Sequence, residues 1–310
     1  MSYTFEEIMA FHPDNEAVYE EIKGLLIGKR LVPFVGAGLT QFAYYSWSDA
    51  LKELSKKLTN RNNRTEVNAL IKAGKTSDAT KLLEAADKLA YLRGESNLAR
   101  DLARLFSPNK LEQKWDQLPK EPISLLPHLF KELVITTNYD QVLETVYNNA
   151  GYPFDRSFLP GSTELLNRLR REGGARVLYK LHGTIVGEKI EYARFVFTKT
   201  QYDKHYDKNS PLTKELKDYF KEKVMLFLGC SLNNDRTMEI LQDIIEPGVD
   251  YYTIINCKRS ERDEKIRQLG DKHIRAIVYE GNCHEAVRVI LEHLLEETNR
   301  VAYYITVLEH

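Results

Sequence analysis

Short apolar runs alternate with helical patterns along most of this chain, and the alternation limits the folds that it can adopt. The pattern typical of buried strands occurs at residues 31–35, 133–136, 176–180, 194–197, 224–228, 251–255 and 274–279. Helical spacing of apolar residues covers 15–27, 47–58, 139–149, 163–171, 211–220, 236–245, 261–269 and 284–298. Strands that alternate with helices in this way predict an α/β fold, with a mostly parallel, Rossmann-like sheet and helices on both faces.

One long stretch lacks the strand pattern. Between Glu66 and Leu105, leucine and alanine recur at helical spacing, which predicts a helical insertion at about residues 60–106. Prolines punctuate residues 107–127, where we expect a loop-like connection. Residues 1–307 are interpreted as a single domain, and residues 308–310 as the remnant of an expression tag. The insertion could cover a site, pack against a neighbour or be an ordinary helical subdomain.

Composition excludes several classes of function. Lys and Arg number 44 against 45 for Asp and Glu, whereas dedicated nucleic-acid binders usually show a basic excess. No apolar run approaches membrane-spanning length, and the first residues lack the pattern of a secretory signal. The three cysteines, Cys230, Cys257 and Cys283, form no C-x-x-C pair, so neither a disulfide framework nor a Cys-rich zinc site is expected. We therefore expect a cytoplasmic protein with no metal and with neither a membrane nor a nucleic acid as partner.

The turn after the first strand contains Gly36, Ala37 and Gly38, in the string LVPFVGAGLT. Glycines at this point let backbone N–H groups approach a pyrophosphate at the N-terminus of the following helix. A full dinucleotide fingerprint has a third glycine, and Gln41 occupies its position. By itself the string fits either a nucleotide-binding turn or a tight turn with no ligand.

Polar or small residues also follow the other predicted strands, except the short one at 194–197. Because ligands of open α/β sheets bind outside the carboxyl ends of the strands, these residues predict a nucleotide site at that edge. Turns favour the same residue types, and Asp140 could equally cap the helix that follows it. The residues suited to phosphate, ribose hydroxyls or base edges are Thr40, Thr137, Asp140, Gly229, Ser231 and Asn256.

Asn138 and His182 are the candidates for chemistry. Each follows an apolar strand, and Gly183 gives access to the histidine. Taken alone, His182 fits a loop histidine that is satisfied by its surroundings. If the two residues lie on neighbouring strands, however, a neutral imidazole and a carboxamide near a ribose could polarise a hydroxyl or water and hold it in line.

The order of these motifs resembles the sirtuin fold. It is more similar to the sirtuin-like NADase domain of prokaryotic anti-phage defence systems, of the Thoeris and defence-associated sirtuin type. The resemblance covers roughly residues 25–295. The segments that carry it are the glycine turn followed by Trp47 and Leu51, TTNYD at 136–140, His182-Gly183, Thr198-Lys199 with Tyr202, and FLGCS at 227–231.

The resemblance implies a role for each site residue. Gly36, Ala37 and Gly38 would line the NAD pyrophosphate, and Asn138 would lie against the nicotinamide ribose. His182 would be the catalytic histidine. The adenosine half would meet Gly229, Ser231 and Asn256, and we count Thr40, Thr137 and Asp140 among the cofactor-binding residues.

Two departures from the deacylating sirtuins decide the expected reaction. Those enzymes carry a four-cysteine zinc ribbon, which three scattered cysteines cannot build. Their aspartate-phenylalanine-arginine loop is replaced here by QFAYYSWSD. We therefore expect hydrolysis of NAD+ itself, to nicotinamide and linear or cyclic ADP-ribose. The alternatives are an NAD-dependent protein deacylase or ADP-ribosyltransferase, and a regulatory module that binds NAD or ADP-ribose.

The resemblance to defence proteins also implies control, because an NADase that is always active would empty its own cell. We expect a homo-oligomer that is activated by assembly, by a partner protein or by a phage-derived trigger. Its role would be to deplete NAD+ in anti-phage defence by abortive infection.

Overall fold

A seven-stranded parallel sheet organises the computed structural model. The structure describes residues 3–58, 60–75, 78–83, 85, 98–158, 174–186, 189–190, 196–197, 201, 211–221, 223–232, 249–281 and 284–308. Its strands are β1 (Leu31–Val35), β2 (Leu133–Thr136), β3 (Arg156–Phe158), β4 (Val177–Lys180), β7 (Val224–Leu228), β8 (Tyr251–Asn256) and β9 (Ile274–Tyr279). A separate antiparallel hairpin pairs β5 (Ile185–Val186) with β6 (Lys189–Ile190). The predicted α/β fold with a parallel, Rossmann-like sheet is confirmed.

The strand order places a switch point at the centre of the sheet. The order is β3-β4-β2-β1-β7-β8-β9. Strands β2, β4 and β3 therefore lie on one side of β1, and β7, β8 and β9 lie on the other. Val35 is level with Thr136 on one side and with Leu228 on the other. Ligands of such sheets bind in the crevice at the switch point, at the carboxyl ends of the strands. The fold therefore places the turns after β1, β2, β4 and β7 at the expected ligand edge.

The helices follow the predicted pattern closely where both can be compared. Ser46 caps α3, because its side chain accepts a hydrogen bond from the Asp49 N–H. The segment that follows β1 ends at this cap. None of the helices in the described ranges is long and apolar enough to cross a membrane. The α-helices are α1 (Phe5–Met9), α2 (Asn15–Ile27), α3 (Trp47–Ser55), α4 (Arg61–Lys72), α5 (Leu98–Leu105), α6 (Asn109–Glu112), α7 (Leu126–Leu129), α8 (Val142–Asn149), α9 (Pro211–Tyr219), α10 (Arg262–Gly270) and α11 (Glu285–Leu308).

Helices α4 and α5 lie in the stretch predicted to be an insertion, and both pack against α3. Their apolar positions face this contact: Val67, Ile71, Leu102 and Ala103 are all buried. The single-domain organisation remains a prediction. Packing within the chain accounts for those apolar residues of α4 and α5 that are buried.

Several local predictions differ from the structure. The expected loop at 107–127 contains α6 and two 3-10 turns, Leu118–Lys120 and Pro122–Leu125, because prolines are well tolerated in the first turn of a helix. Val196 and Phe197 are not in a strand, and β3 had no prediction. The helices expected at 163–171 and 236–245 and the Thr198-Lys199-Tyr202 motif fall outside the described residues.

Candidate functional site

The turn after β1 packs directly on the turn after β7. Gly38 donates its backbone N–H to the Gly229 carbonyl oxygen over 2.8 Å. A Cβ on Gly36 or Gly38 would lie 2.6 Å from that same oxygen. Gly229 has φ +67, and a Cβ there would lie 2.5 Å from the Leu39 nitrogen. Only glycine fits at these three positions, because backbone meets backbone with no room for a side chain.

This contact changes how the glycine turn is understood. Gly36 donates its N–H to Leu228, also over 2.8 Å, so the N–H groups of both glycines in the turn are used within the protein. The close approach of two turns therefore explains the glycines without a ligand. A pyrophosphate at this turn stays a prediction, and Ala37, which is partly exposed between the two glycines, is the residue best placed to offer its N–H.

Asn138 is held at the carboxyl end of β2 by hydrogen bonds on its side chain and backbone. Its Nδ2 donates to the Gly36 carbonyl and to the Thr40 hydroxyl, both at 3.3 Å. Its backbone N–H is donated to Thr136 Oγ1 at 3.0 Å, and that hydroxyl donates to the Val35 carbonyl at 2.7 Å. Asn138 is only 5% exposed. With both side-chain N–H bonds engaged, Oδ1 is the atom left to accept a hydrogen bond from a ligand.

Asp140 lies two residues beyond Asn138 in the same loop, and its two carboxylate oxygens have different partners. Oδ2 is 3.1 Å from the Thr40 hydroxyl, and Oδ1 accepts the Val142 N–H at 3.1 Å, at the start of α8. Burial raises the pKa of the Asp140 carboxyl to about 6, although the nearby charge of Lys180 opposes the rise. Asp140 thus bonds the first N–H of α8, whereas the N-cap residue itself is Gln141.

Lys180 ends β4 and is almost fully buried. Its ammonium group donates to the backbone carbonyl of Asp140 and to Glu144 Oε1, the latter over 2.8 Å. The lysine thereby joins β4 to the loop that carries Asn138 and to helix α8. A charged side chain in an otherwise apolar strand was the signal by which the sequence could have revealed this residue.

His182 lies two residues beyond Lys180, and Asn138 lies two residues beyond Thr136. Since Thr136 and Lys180 are paired in register, the two candidates follow neighbouring strands whose ends are level, and the expectation of neighbouring strands is confirmed. Burial lowers the pKa of His182 to about 3, and a hydrogen bond to the Thr137 backbone offsets part of the decrease. The imidazole is therefore neutral at pH 7, which is the form that can accept a proton.

An aromatic cluster packs beside the histidine through Tyr139. The Tyr139 ring lies 6.1 Å from the His182 ring and 6.2 Å from Trp47, and Trp47 meets Phe197 edge-on at 5.4 Å. Tyr139 donates its hydroxyl to the Val196 carbonyl over 2.6 Å, while the Val196 N–H is donated to the His182 carbonyl over 3.0 Å. These contacts fix the backbone of His182, whose side chain is buried.

The residues predicted for the adenosine half lie further along the same edge. Ser231 follows β7 and is exposed. Asn256 ends β8, is also exposed, and donates its Nδ2 to the Gly281 carbonyl at 2.8 Å. The structure thus joins Thr40, Asn138 and Asp140 in one hydrogen-bonded group, while Ser231 and Asn256 lie on the β7 and β8 side of the sheet. Among the described residues, no group of His, Cys, Asp or Glu has the arrangement of a metal site.

Residues 132–277 match the family model of the SIR2-like domain. Over these residues the chain is similar to a SIR2-like domain. The resemblance to sirtuin-like NADases that the motifs predict is thereby confirmed. The SIR2-like match contains Asn138, His182, Gly229 and Asn256, whereas the glycine turn after β1 lies outside it and reaches it through the contact with Gly229.

A curated relative extends the likeness beyond the matched SIR2-like segment. The chain is 26% identical over 235 residues to a protein of Acinetobacter baumannii (strain 532279) named NAD(+) hydrolase ThsA. The alignment covers 76% of this chain and 43% of the relative, so the chain spans about two fifths of the length of that protein.

Proposed function

We propose that this SIR2-like domain is an NAD+ glycohydrolase, which cleaves the bond between nicotinamide and ribose. The observation that carries the proposal is the placement of Asn138 and His182 at one level on neighbouring strands, one as an oriented carboxamide and the other as a neutral imidazole. The likeness to a protein named NAD(+) hydrolase ThsA supports the same reaction.

The chemistry needs little besides positioning. Nicotinamide leaves NAD+ as a neutral molecule because it already carries the positive charge, so no acid has to protonate the leaving group, unlike in most glycosidases. As the bond breaks, positive charge develops on the ribose, and a fixed dipole nearby stabilises it. Water then adds to the ribose carbon and loses a proton, which gives ADP-ribose, nicotinamide and one proton.

Asn138 and His182 divide this work. The Oδ1 of Asn138 accepts a hydrogen bond from a ribose hydroxyl or from the attacking water, which holds that group in line with the breaking bond. His182 takes the proton from that hydroxyl or water as a general base, since its imidazole is neutral at pH 7. If a nucleophilic atom in the adenosine half of the substrate attacks in place of water, the product is a cyclic ADP-ribose.

The rest of NAD+ would extend along the carboxyl edge of the sheet. We place the pyrophosphate near Ala37, beside the glycine turn, with Thr137 facing the ribose. The adenosine half would lie toward Gly229, Ser231 and Asn256, of which Ser231 and Asn256 are exposed. The proposed reaction uses NAD+ as substrate and uses no metal.

The direct test is to incubate the purified protein with NAD+ and to quantify nicotinamide and the ADP-ribose product by chromatography with mass detection. The proposal expects the two products in equal amounts, and the mass of the second separates linear from cyclic ADP-ribose. With an acetylated peptide added, an acyl group found on ADP-ribose would instead support a deacylase. Tight NAD+ binding without turnover would favour a regulatory module.

We also propose that the reaction is controlled and serves anti-phage defence by depleting NAD+. Continuous hydrolysis would remove the cofactor from the cell that makes the enzyme. The proposal therefore includes a homo-oligomer whose activity depends on assembly, on a partner protein or on a phage-derived trigger.

A further inference from the structure

The Thr40 hydroxyl joins two segments that are far apart in the sequence, the turn after β1 and the loop after β2. It lies 3.3 Å from Asn138 Nδ2, 3.1 Å from Asp140 Oδ2 and 3.2 Å from the Ala37 carbonyl oxygen. Thr40 itself is 1% exposed. A buried hydroxyl with three polar neighbours is held in one place by them.

The chemistry of these groups determines which one donates to which. The Asn138 nitrogen can only donate, so the Thr40 oxygen accepts from it. The single hydroxyl hydrogen of Thr40 then goes to the Asp140 carboxylate or to the Ala37 carbonyl, since both can accept. This order holds the Asn138 carboxamide with its nitrogen toward the glycine turn and with Oδ1 on the opposite side.

We propose that Thr40, anchored by Asp140, is a positioning residue that orients Asn138 and makes no contact with NAD+. The inference rests on the proposed function, because the oriented Oδ1 has a catalytic role only if Asn138 acts on the ribose or on water. It replaces the expectation that Thr40 belongs to the residues that bind the cofactor.

Burial and charge both indicate that Thr40 and Asp140 hold a neighbouring residue in place. Thr40 and Asp140 are 1% and 4% exposed, and both carboxylate oxygens of Asp140 already have partners in the protein. Lys180 holds the backbone of Asp140 from the other side and is itself paired with Glu144. The groups that face the Asp140 carboxylate are thus Thr40, Lys180, Glu144 and Tyr44.

The two roles predict different kinetics. A positioning residue affects the rate of the bond-breaking step, because a carboxamide that rotates no longer holds the reacting group in line. A residue that contacts the cofactor contributes to its affinity as well. The variants Thr40→Val and Thr40→Ser separate these cases, since valine keeps the shape without the hydroxyl and serine keeps the hydroxyl without the methyl group.

A matched control is available in the sheet. Thr253 on β8 is also 1% exposed and donates its hydroxyl to the Phe227 carbonyl over 3.1 Å. Thr253→Val therefore removes a buried hydroxyl and its hydrogen bond with no connection to Asn138. Any general effect of this substitution on folding appears in both valine variants.

The test combines kinetics, affinity for ADP-ribose by calorimetry, and nuclear magnetic resonance of protein labelled with 15N on asparagine. The side-chain NH2 signal of Asn138 is assigned as the one that is absent from the spectrum of Asn138→Ala. We expect Thr40→Val to shift this signal and to reduce kcat about 10- to 100-fold, the scale for a misplaced catalytic group. The dissociation constant for ADP-ribose should change less than about threefold, which is below 1 kcal/mol. Thr40→Ser should restore both the signal and kcat, and Thr253→Val should affect neither.

Two results would overturn the inference. One is an unchanged Asn138 NH2 signal in Thr40→Val, and the other is a loss of ADP-ribose affinity in that variant with kcat preserved. The proposed function fails separately, if Asn138→Ala leaves nicotinamide release intact while the Thr40→Val signal still shifts. In that case Thr40 would orient Asn138 without any consequence for the reaction.

Discussion

The backbone N–H of Gly38 is donated to the Gly229 carbonyl over 2.8 Å, and this bond joins the turns after β1 and β7 at the switch point of the sheet. The two residues are far apart in the sequence, and neither has a side chain that could separate the turns. The floor of the candidate site is therefore built from the backbone, and the side chains proposed to act in the reaction follow β2 and β4.

Gly38→Ala tests this contact through the stability of the protein. A Cβ at this position would lie 2.6 Å from the Gly229 oxygen, so the variant should lose about 1–3 kcal/mol of unfolding free energy through overcrowding. Gly24→Ala in α2 is the control, because nothing lies within 4 Å of its Cβ and alanine favours a helix by up to about 1 kcal/mol. Urea unfolding should give opposite signs for the two variants. Equal effects would contradict the close approach.

Lys180→Met tests the buried ion pair. The lysine side chain is 1% exposed and that of Glu144 is 29% exposed, so removing the lysine should cost about 2–4 kcal/mol, near the range for a broken buried pair. The double variant Lys180→Met with Glu144→Gln should recover part of this loss. Lys56→Met breaks an exposed pair with Glu53 and should cost less than about 1 kcal/mol. A Lys180→Met variant as stable as Lys56→Met would contradict the prediction.

The neutral state of His182 predicts how stability depends on pH. Its pKa is about 3 in the folded protein against 6.5 as its ordinary value, so below pH 6.5 the unfolded chain binds a proton that the folded protein does not. The stability contribution of the neutral histidine is complete above pH 6.5 and decreases as the pH falls toward 3. Between pH 7 and pH 4.5 the decrease should be about 2–3 kcal/mol.

Urea unfolding of wild type and His182→Gln across this pH range measures the difference between their free energies of unfolding. This difference should become smaller as the pH falls.

The stability contribution of Asp140 changes with pH in the opposite direction. Its pKa is raised to about 6, so its contribution is complete below pH 3.8 and is lost as the pH rises through 6. Asp140→Asn should therefore stabilise the protein more at pH 7 than at pH 4. A His182→Gln profile parallel to that of wild type would show that the histidine is not held neutral.

The proposed control by assembly predicts activity that depends on protein concentration. Light scattering and nicotinamide release measured on the same samples should show specific activity rising with the oligomeric fraction. The physical reason is that a catalytic surface completed by a neighbour exists only in the assembly. A monomer with full specific activity at every concentration would contradict this prediction.

Six of the seven strands of the sheet could be predicted, because each of these six is a short apolar run that ends at or just before glycine or a polar residue. The bounds of β1, β2, β7 and β9 agree with the prediction, while β4 begins one residue later and β8 ends one residue later. The missed strand β3 has only three residues, Arg156–Phe158, which is too short for a periodic signal. The pairing of β3 with β4 is what makes it a strand, and no local pattern encodes that pairing.

The candidate site divides in the same way. Asn138 and His182 could be placed on neighbouring strands because the ends of these two parallel strands could be predicted. The hydrogen-bond partners of Gly38 and Thr40 could not be predicted, since each partner lies in a segment about a hundred or more residues away. Sequence reasoning therefore identified the residues of the edge but could not assign which of them face a ligand and which support a neighbour.

Nicotinamide release by Asn138→Ala and His182→Ala tests the central claim most directly. Asn149→Ala and His128→Ala are matched controls, since they remove an exposed asparagine and an exposed histidine outside the site. The account predicts that wild type and both controls convert NAD+ to nicotinamide, and that each site variant is slower by about a hundredfold or more, as expected when a general base or an orienting group is lost. Nicotinamide release that is unchanged in both site variants would contradict it.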